Sequence, residues 1–220
     1  TVTEDFTVIF EEKEYACMAT FDYTPPEGTE ILDFTNGGWD ASEGLISSAI
    51  CTPSALIRNI GQYNGETGEN YAFQADVEIT QTRTKAGIFF CMSKSGFYEG
   101  IEGYFVAVTR RGMYLYKYTG SPETGEDEIE LGKHMFEEFE LGMTCTLRVE
   151  IYGSLCRVYL LDDAEGVEPW PEFEFTLDDF ETGSIGIMDS GFGACYSNVK
   201  FETLEPLPAD TAAKYYQNHV

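Results

Sequence analysis

"TCTLRVEIYGSLCRVYLL", residues 144–161, decides the fold. Apolar and polar side chains alternate on both sides of Gly153 and Ser154, a pair that suits a two-residue hairpin turn with glycine first. A turn of that length fixes the register of the two strands. Ile151 then faces Cys156, Val149 faces Val158 and Leu147 faces Leu160 on one side of the ribbon. On the other side Glu150 faces Arg157 and Arg148 faces Tyr159. An opposite-charge cross-strand pair contributes a few tenths up to about 1 kcal/mol. The same register sets Cys145 opposite Asp162, so Cys145 and Cys156 are not cross-strand disulfide partners and read as buried free thiols.

Outward from this hairpin the pattern repeats. "FTVIF", "YACMATF", "GLISSAI", "YAFQADVEI", "AGIFFCMS", "GYFVAVT", "MYLYKY", "EFEFTL", "SIGIMDS" and "ACYSNVKFETL" are short strand-like runs separated by Gly, Pro, Asn and Asp. No segment makes a convincing amphipathic helix, although a short helical turn fits near Met135–Phe139. The expectation is an all-β chain, an antiparallel β-sandwich of jelly-roll type. "YTPPEGTE" breaks the pattern at 23–30, and "LEPLPADTAAKYYQNHV" at 204–220 reads as a linker. The compact core is therefore placed at 31–203, and residues 1–30 read as outer strands or the remnant of a neighbouring domain.

Composition narrows the function. Against 39 Asp and Glu stand 13 Lys and Arg, a formal net charge of -26, so nucleic acid and anionic lipid surfaces are repelled. No stretch approaches the roughly 20 apolar residues of a membrane span. The start lacks the basic region of a signal peptide, and the chain reads as a piece of a longer protein. Six cysteines without CxxC spacing and only two histidines argue against zinc.

No nucleophile, metalloprotease, phosphate-loop or dinucleotide motif is present, so the fragment reads as noncatalytic. Calcium takes six to eight oxygen ligands, by general coordination chemistry. Asp33 with Asp40, "SPETGEDEIELG" at 121–132 and "LDD" at 161–163 offer carboxylates for it, or are solvated surface acids. Sugar recognition needs an exposed ring and a few hydroxyl-bonding groups. The candidates are Trp170 in "VEPWPEF", Tyr114 and Tyr116 beside Tyr118 in the hairpin "GYFVAVTRRGMYLYKY", Arg110 and Arg111 at its turn, and Asp189 in "MDSGFG". The alternative is that the tyrosines pack in a core and the arginines only make a turn. At least one of the three tyrosines is expected in the core, with the turn exposed.

"LDFTNGGWDASEGLISSA" at 32–49, followed in order by "YAFQADVEI", "AGIFFCMS", "GYFVAV", "LYKY", "TLRVEIYGSLCRVYLLD" and "GSIGIMDSGFGACYSNVKF", resembles the family 66 carbohydrate-binding modules. The set is equally similar to the concanavalin-like β-sandwich that accompanies fructan-hydrolysing glycosidases of glycoside hydrolase family 32 type. The resemblance implies a concanavalin-like jelly roll with Trp39 in its core. It also implies a module that binds a fructan such as levan beside a catalytic domain in the same chain, secreted or at a bacterial cell surface. Two positions depart from the pattern: Cys91 stands where an Arg commonly follows the strand, and Thr109 where an acid commonly does. Those departures favour a second reading, a structural domain that packs on its neighbour and binds no sugar.

Overall fold

The computed structural model describes residues 31–36, 38–40, 45–48, 58–94, 102–120, 128–137, 139–161, 170–177, 183–190 and 193–208. The runs at 6–10 and 15–21, the acidic stretch 121–127, Asp162 and Asp163 lie outside them, as do Cys17, Cys51 and residues 209–220.

Two seven-stranded sheets face each other. In chain order the strands are β1 (Leu32–Asn36), β2 (Gly38–Asp40), β3 (Leu45–Ser48), β4 (Arg58–Tyr63), β5 (Asn70–Ile79), β6 (Lys85–Lys94) and β7 (Glu102–Thr109). They continue as β8 (Gly112–Thr119), β9 (Glu128–Met135), β10 (Thr144–Tyr152), β11 (Leu155–Leu161), β12 (Phe173–Thr176), β13 (Ser184–Ser190) and β14 (Ala194–Thr203). One sheet runs β1-β4-β13-β6-β7-β8-β9 and the other β12-β11-β10-β5-β14-β3-β2. Every pairing is antiparallel. This is the expected all-β antiparallel sandwich, with no helix among the described residues.

The β10–β11 hairpin has the register read from its turn: Ile151 opposite Cys156, Val149 opposite Val158, Leu147 opposite Leu160. Gly153 sits at φ +59 with nothing near the place a Cβ would take. The charges sort differently from the cross-strand expectation. Arg157 donates from Nε to Glu174 on β12 at 2.7 Å, while Glu150 accepts from Arg148 at 2.8 Å and from the hydroxyls of Tyr152 and Tyr159 at 3.1 and 3.2 Å. A third strand, β12, supplied a carboxylate that the hairpin alone does not reveal.

The inward faces meet in one apolar core. Phe73, Val77, Leu147, Val149 and Val158 come from one sheet, and Ile88, Phe90, Val106, Leu115 and Ile187 from the other. Each such side chain contributes about 1.5–3 kcal/mol on burial. Trp39 is buried there and tilts against Tyr196 at 5.9 Å. A second cluster lies on the opposite face of the β6–β7–β8 region: Phe89, Phe105, Ala107, Tyr116, Tyr118 and Met188, with Tyr114 packed half-buried against it. Two of the three hairpin tyrosines are thus core residues, and Arg110 and Arg111 at the turn are exposed.

The structure holds two strands that the sequence reading did not name and no helical turn at 135–137 or Phe139. Residues 128–135 form the edge strand β9, whose Ile129 and Leu131 are exposed. Met135 ends that strand, and Phe136 donates its N–H to the Arg111 carbonyl at 3.1 Å instead of starting a helical turn. "RNIGQY" at 58–63 is an interior strand although it carries few apolar residues. Cys91, Cys145, Cys156 and Cys195 are free thiols. Cys91 lies fully buried at φ +51 in a bulge of β6, and burial pushes its thiol up to about 12.

Candidate binding groove at one end of the sandwich

The β5–β6 turn and the β7–β8 turn emerge at the same end because β6 and β7 are hydrogen-bonded neighbours, with Ala86 in register with Val108. Thr109 holds the second turn: its Oγ1 accepts from the Arg111 N–H and donates to the Gly112 carbonyl, both at 3.1 Å. The first turn is closed by the Thr84 N–H on the Gln81 carbonyl, and Thr80 anchors it to Gly193 through a 3.1 Å hydroxyl hydrogen bond. Between them lies a groove of ≈ 460 Å³ lined by Thr82, Arg83, Thr84, Lys85, Thr109, Arg110, Arg111, Tyr114 and Tyr116.

The ring wall is ordered by stacking. Tyr114 and Tyr116 lie 5.9 Å apart at 8° between planes. Lys85 places its Nζ 4.3 Å from the Tyr116 ring centre and pairs with Glu128, whose other oxygen accepts from the Tyr118 hydroxyl at 2.7 Å. Burial first, then the nearby carboxylates of Glu128 and Glu130, push the Tyr116 phenol well above its ordinary value, so it stays a neutral donor. Among the described residues no Asp or Glu lines the groove. It can stack a ring and donate hydrogen bonds from guanidinium, ammonium and hydroxyl groups.

The other sequence candidates fall elsewhere. Trp170 is 76% exposed, just before β12, next to Glu172, which accepts from His134 Nδ1 on β9 at 2.8 Å. A separate cavity of ≈ 480 Å³ opens there between the sheet edges, lined by Tyr104, Leu115, Lys117, Leu131, Phe173 and Phe175 among others. Asp189 is not in a turn: it is fully buried in β13, where Asn59 of β4 donates to it at 2.7 Å. It pairs in register with Ala86, below the groove end, and presents nothing to a surface ligand. Asp33 is exposed on β1, and Asp40 belongs to β2 in the other sheet. Among the described residues no three His, Cys, Asp or Glu side chains converge on a point. Thr109, at a position where the resemblance pointed to an acid, is the brace of the arginine turn, and Cys91 is core.

Sequence reading missed Arg83 and Lys85. Their signal was "TQTRTKAG" at 80–87, two basic residues close together in a chain that has few. Nothing local says that this loop meets the 110–111 turn.

No protein-family model matches the sequence, and no curated protein matches it. Solved structures do resemble the fold. The carbohydrate-binding module CBM66 of Bacillus subtilis superposes with a TM-score of 0.59 at 16% identity, covering 79% of this chain and 96% of that one. The exoplasmic/lumenal domain of VIP36, in its Ca2+/Man3GlcNAc-bound form, gives 0.60 at 11% identity over 81% and 88%. A bifunctional GH43-CE protein of Bacteroides eggerthii gives 0.53 at 14% identity, with 80% of this chain aligned to 24% of that larger chain. At these identities the likeness is one of fold: the chain is a concanavalin-like β-sandwich. Among the described residues no helix is long and apolar enough to cross a membrane.

Proposed function

We propose that this chain is a noncatalytic carbohydrate-binding module, spanning about residues 31–203, that receives a nonreducing sugar end in the groove between the Arg83 and Arg110–Arg111 turns. The observation that carries the reading is the meeting of the stacked Tyr114–Tyr116 wall with three exposed guanidinium groups in one groove that no described acid lines. The likeness to CBM66 and to a multidomain bacterial enzyme supports a module beside a catalytic domain of a secreted glycoside hydrolase. Levan-type fructan is the ligand to which the family 66 resemblance points. The module raises the enzyme's concentration on its polymer by adding a second attachment.

Calorimetry with levan oligosaccharides and other glycan fragments tests this. A single small site is expected to bind at about 0.1 to 1 mM, or roughly 4 to 5.5 kcal/mol. Arg111→Ala removes a charged hydrogen-bond donor at a cost of about 1.5–3 kcal/mol and should abolish detectable heat. Asp189→Ala should leave the affinity alone and lower the melting temperature, because it strands Asn59 in the core at about 1–3 kcal/mol. No reducing sugar should appear during any titration. Absence of heat with every glycan removes the reading.

One observation favours the alternative, a structural domain that packs on its neighbour. Ile129, Leu131 and Met135 on the edge strand β9, with Leu141 and Met143 beyond it, are each 42–51% exposed. An apolar edge of that kind suits a protein contact better than water.

A further inference from the structure

We infer that the groove selects glycans bearing carboxylates, that is, hexuronate residues, over neutral sugars. This rests on the glycan-binding reading above and adds the charge of the ligand to it.

The argument starts from local charge reversal. The chain carries 39 acids and 13 bases, so a surface recess drawn at random should be acidic. This groove is lined by four of the 13 bases and, among the described residues, by no acid. Elsewhere three described cations are neutralised within the protein: Arg148 by Glu150 and Glu202 at 2.8 Å each, Arg157 by Glu174 at 2.7 Å, Lys133 by Glu130 at 3.1 Å. In the groove only Lys85 is paired, with Glu128. Arg83, Arg110 and Arg111 are exposed, and none has an ion-pair partner among the described residues. Three unneutralised guanidinium groups close together repel one another, and an anion between them relieves that repulsion. A neutral hydroxyl does not.

Geometry narrows the anion. A guanidinium presents a planar fork that matches a carboxylate with two parallel hydrogen bonds. The stacked Tyr114 ring, half-buried beside it, offers a face to a pyranose. A carboxylate on a sugar ring uses both features at once. Densely charged polyanions such as nucleic acid are excluded by the rest of the surface, since a net charge of -26 acts along their whole length. A single uronate held within a Debye length of about 8–10 Å responds chiefly to the groove.

The test titrates the full chain with trigalacturonate, with its fully methyl-esterified counterpart and with levan oligosaccharides. Trigalacturonate should bind at least about tenfold tighter than the ester, which keeps the rings and loses the charge, and Arg83→Gln or Arg111→Gln should each weaken it about 10- to 100-fold. Raising NaCl from roughly 0.05 to 0.5 M should weaken trigalacturonate several-fold and leave the ester unmoved. Both arginines are exposed, so the variants should keep the parent melting temperature. Equal or tighter binding of the ester or of levan overturns the charge inference and leaves the glycan reading standing. Uronate binding untouched by both arginine variants overturns it as well, since the anion then sits elsewhere. Binding of none of the three sugars overturns both.

Discussion

Phe73→Ala is expected to cost about 3–5 kcal/mol of folding stability. Typical domains hold only about 5–15 kcal/mol in total, so the variant should unfold at much lower urea with its slope unchanged. The size follows from position. Phe73 is fully buried at the middle of β5, in register with Val149 on one side and Phe201 on the other. Its ring meets Tyr63 edge-on at 6.5 Å, and Tyr63 stacks on Phe201 at 4.1 Å. Removing the ring leaves a hole between two sheets that are each pinned by backbone hydrogen bonds, so collapse into it is limited. Tyr114→Ala is the control: it is half-buried at the groove and should cost about 1 kcal/mol while abolishing sugar binding. A loss below about 1 kcal/mol for Phe73→Ala would show that the core repacks freely, against its interior density.

The β10–β11 hairpin shows which part of this fold was legible. A two-residue turn and a period of two leave one register, and both signals are local. The strands that escaped notice are those without a buried alternation. β9 lies at a sheet edge, where Glu128 and Glu130 alternate with Ile129 and Leu131 but both apolar residues stay exposed, so the short alternation marks no buried face. β4 is interior, yet its buried Asn59 is polar, and what makes it tolerable there is Asp189, 130 residues away. That same pair explains why Asp189 read as a loop acid. Its neighbours Ser190, Gly191 and Gly193 look like a turn, and the partner that buries it is not nearby in sequence.

The groove was half legible for the same reason. Arg110, Arg111, Tyr114 and Tyr116 belong to one hairpin, where spacing alone brings them to one end and one face. Arg83 and Lys85 join them only because β6 pairs with β7, a long-range pairing that no local pattern encodes. The tyrosine face was open to burial or display, and the structure does both: Tyr118 and Tyr116 are buried toward the middle of the sheet, and Tyr114 reaches the rim.

Gly103→Ala is expected to be nearly as damaging as the loss of Phe73, through backbone instead of cavity. Gly103 sits at φ +142, where an L side chain is strained by about 1–3 kcal/mol. A Cβ there would also stand 2.8 Å from the Cys91 carbonyl oxygen and 2.8 Å from Met92 Cα. Those atoms belong to the bulge in which Cys91 itself is held at φ +51, so they cannot step aside as a side-chain tip would. Crowding of this kind adds roughly 1–3 kcal/mol, for a total of about 2–6 kcal/mol. Gly153→Ala separates the two terms, because Gly153 is at φ +59 with open space around it and should lose only about 1–2 kcal/mol. Equal losses for the two variants in urea titration would mean that the bulge yields to a methyl group and that crowding against Cys91 contributes nothing. A larger loss at Gly103 assigns the difference to the contact with the bulge. The cost should also reach the groove: Gly103 is in register with Tyr118, whose hydroxyl holds the Glu128 that pairs with Lys85.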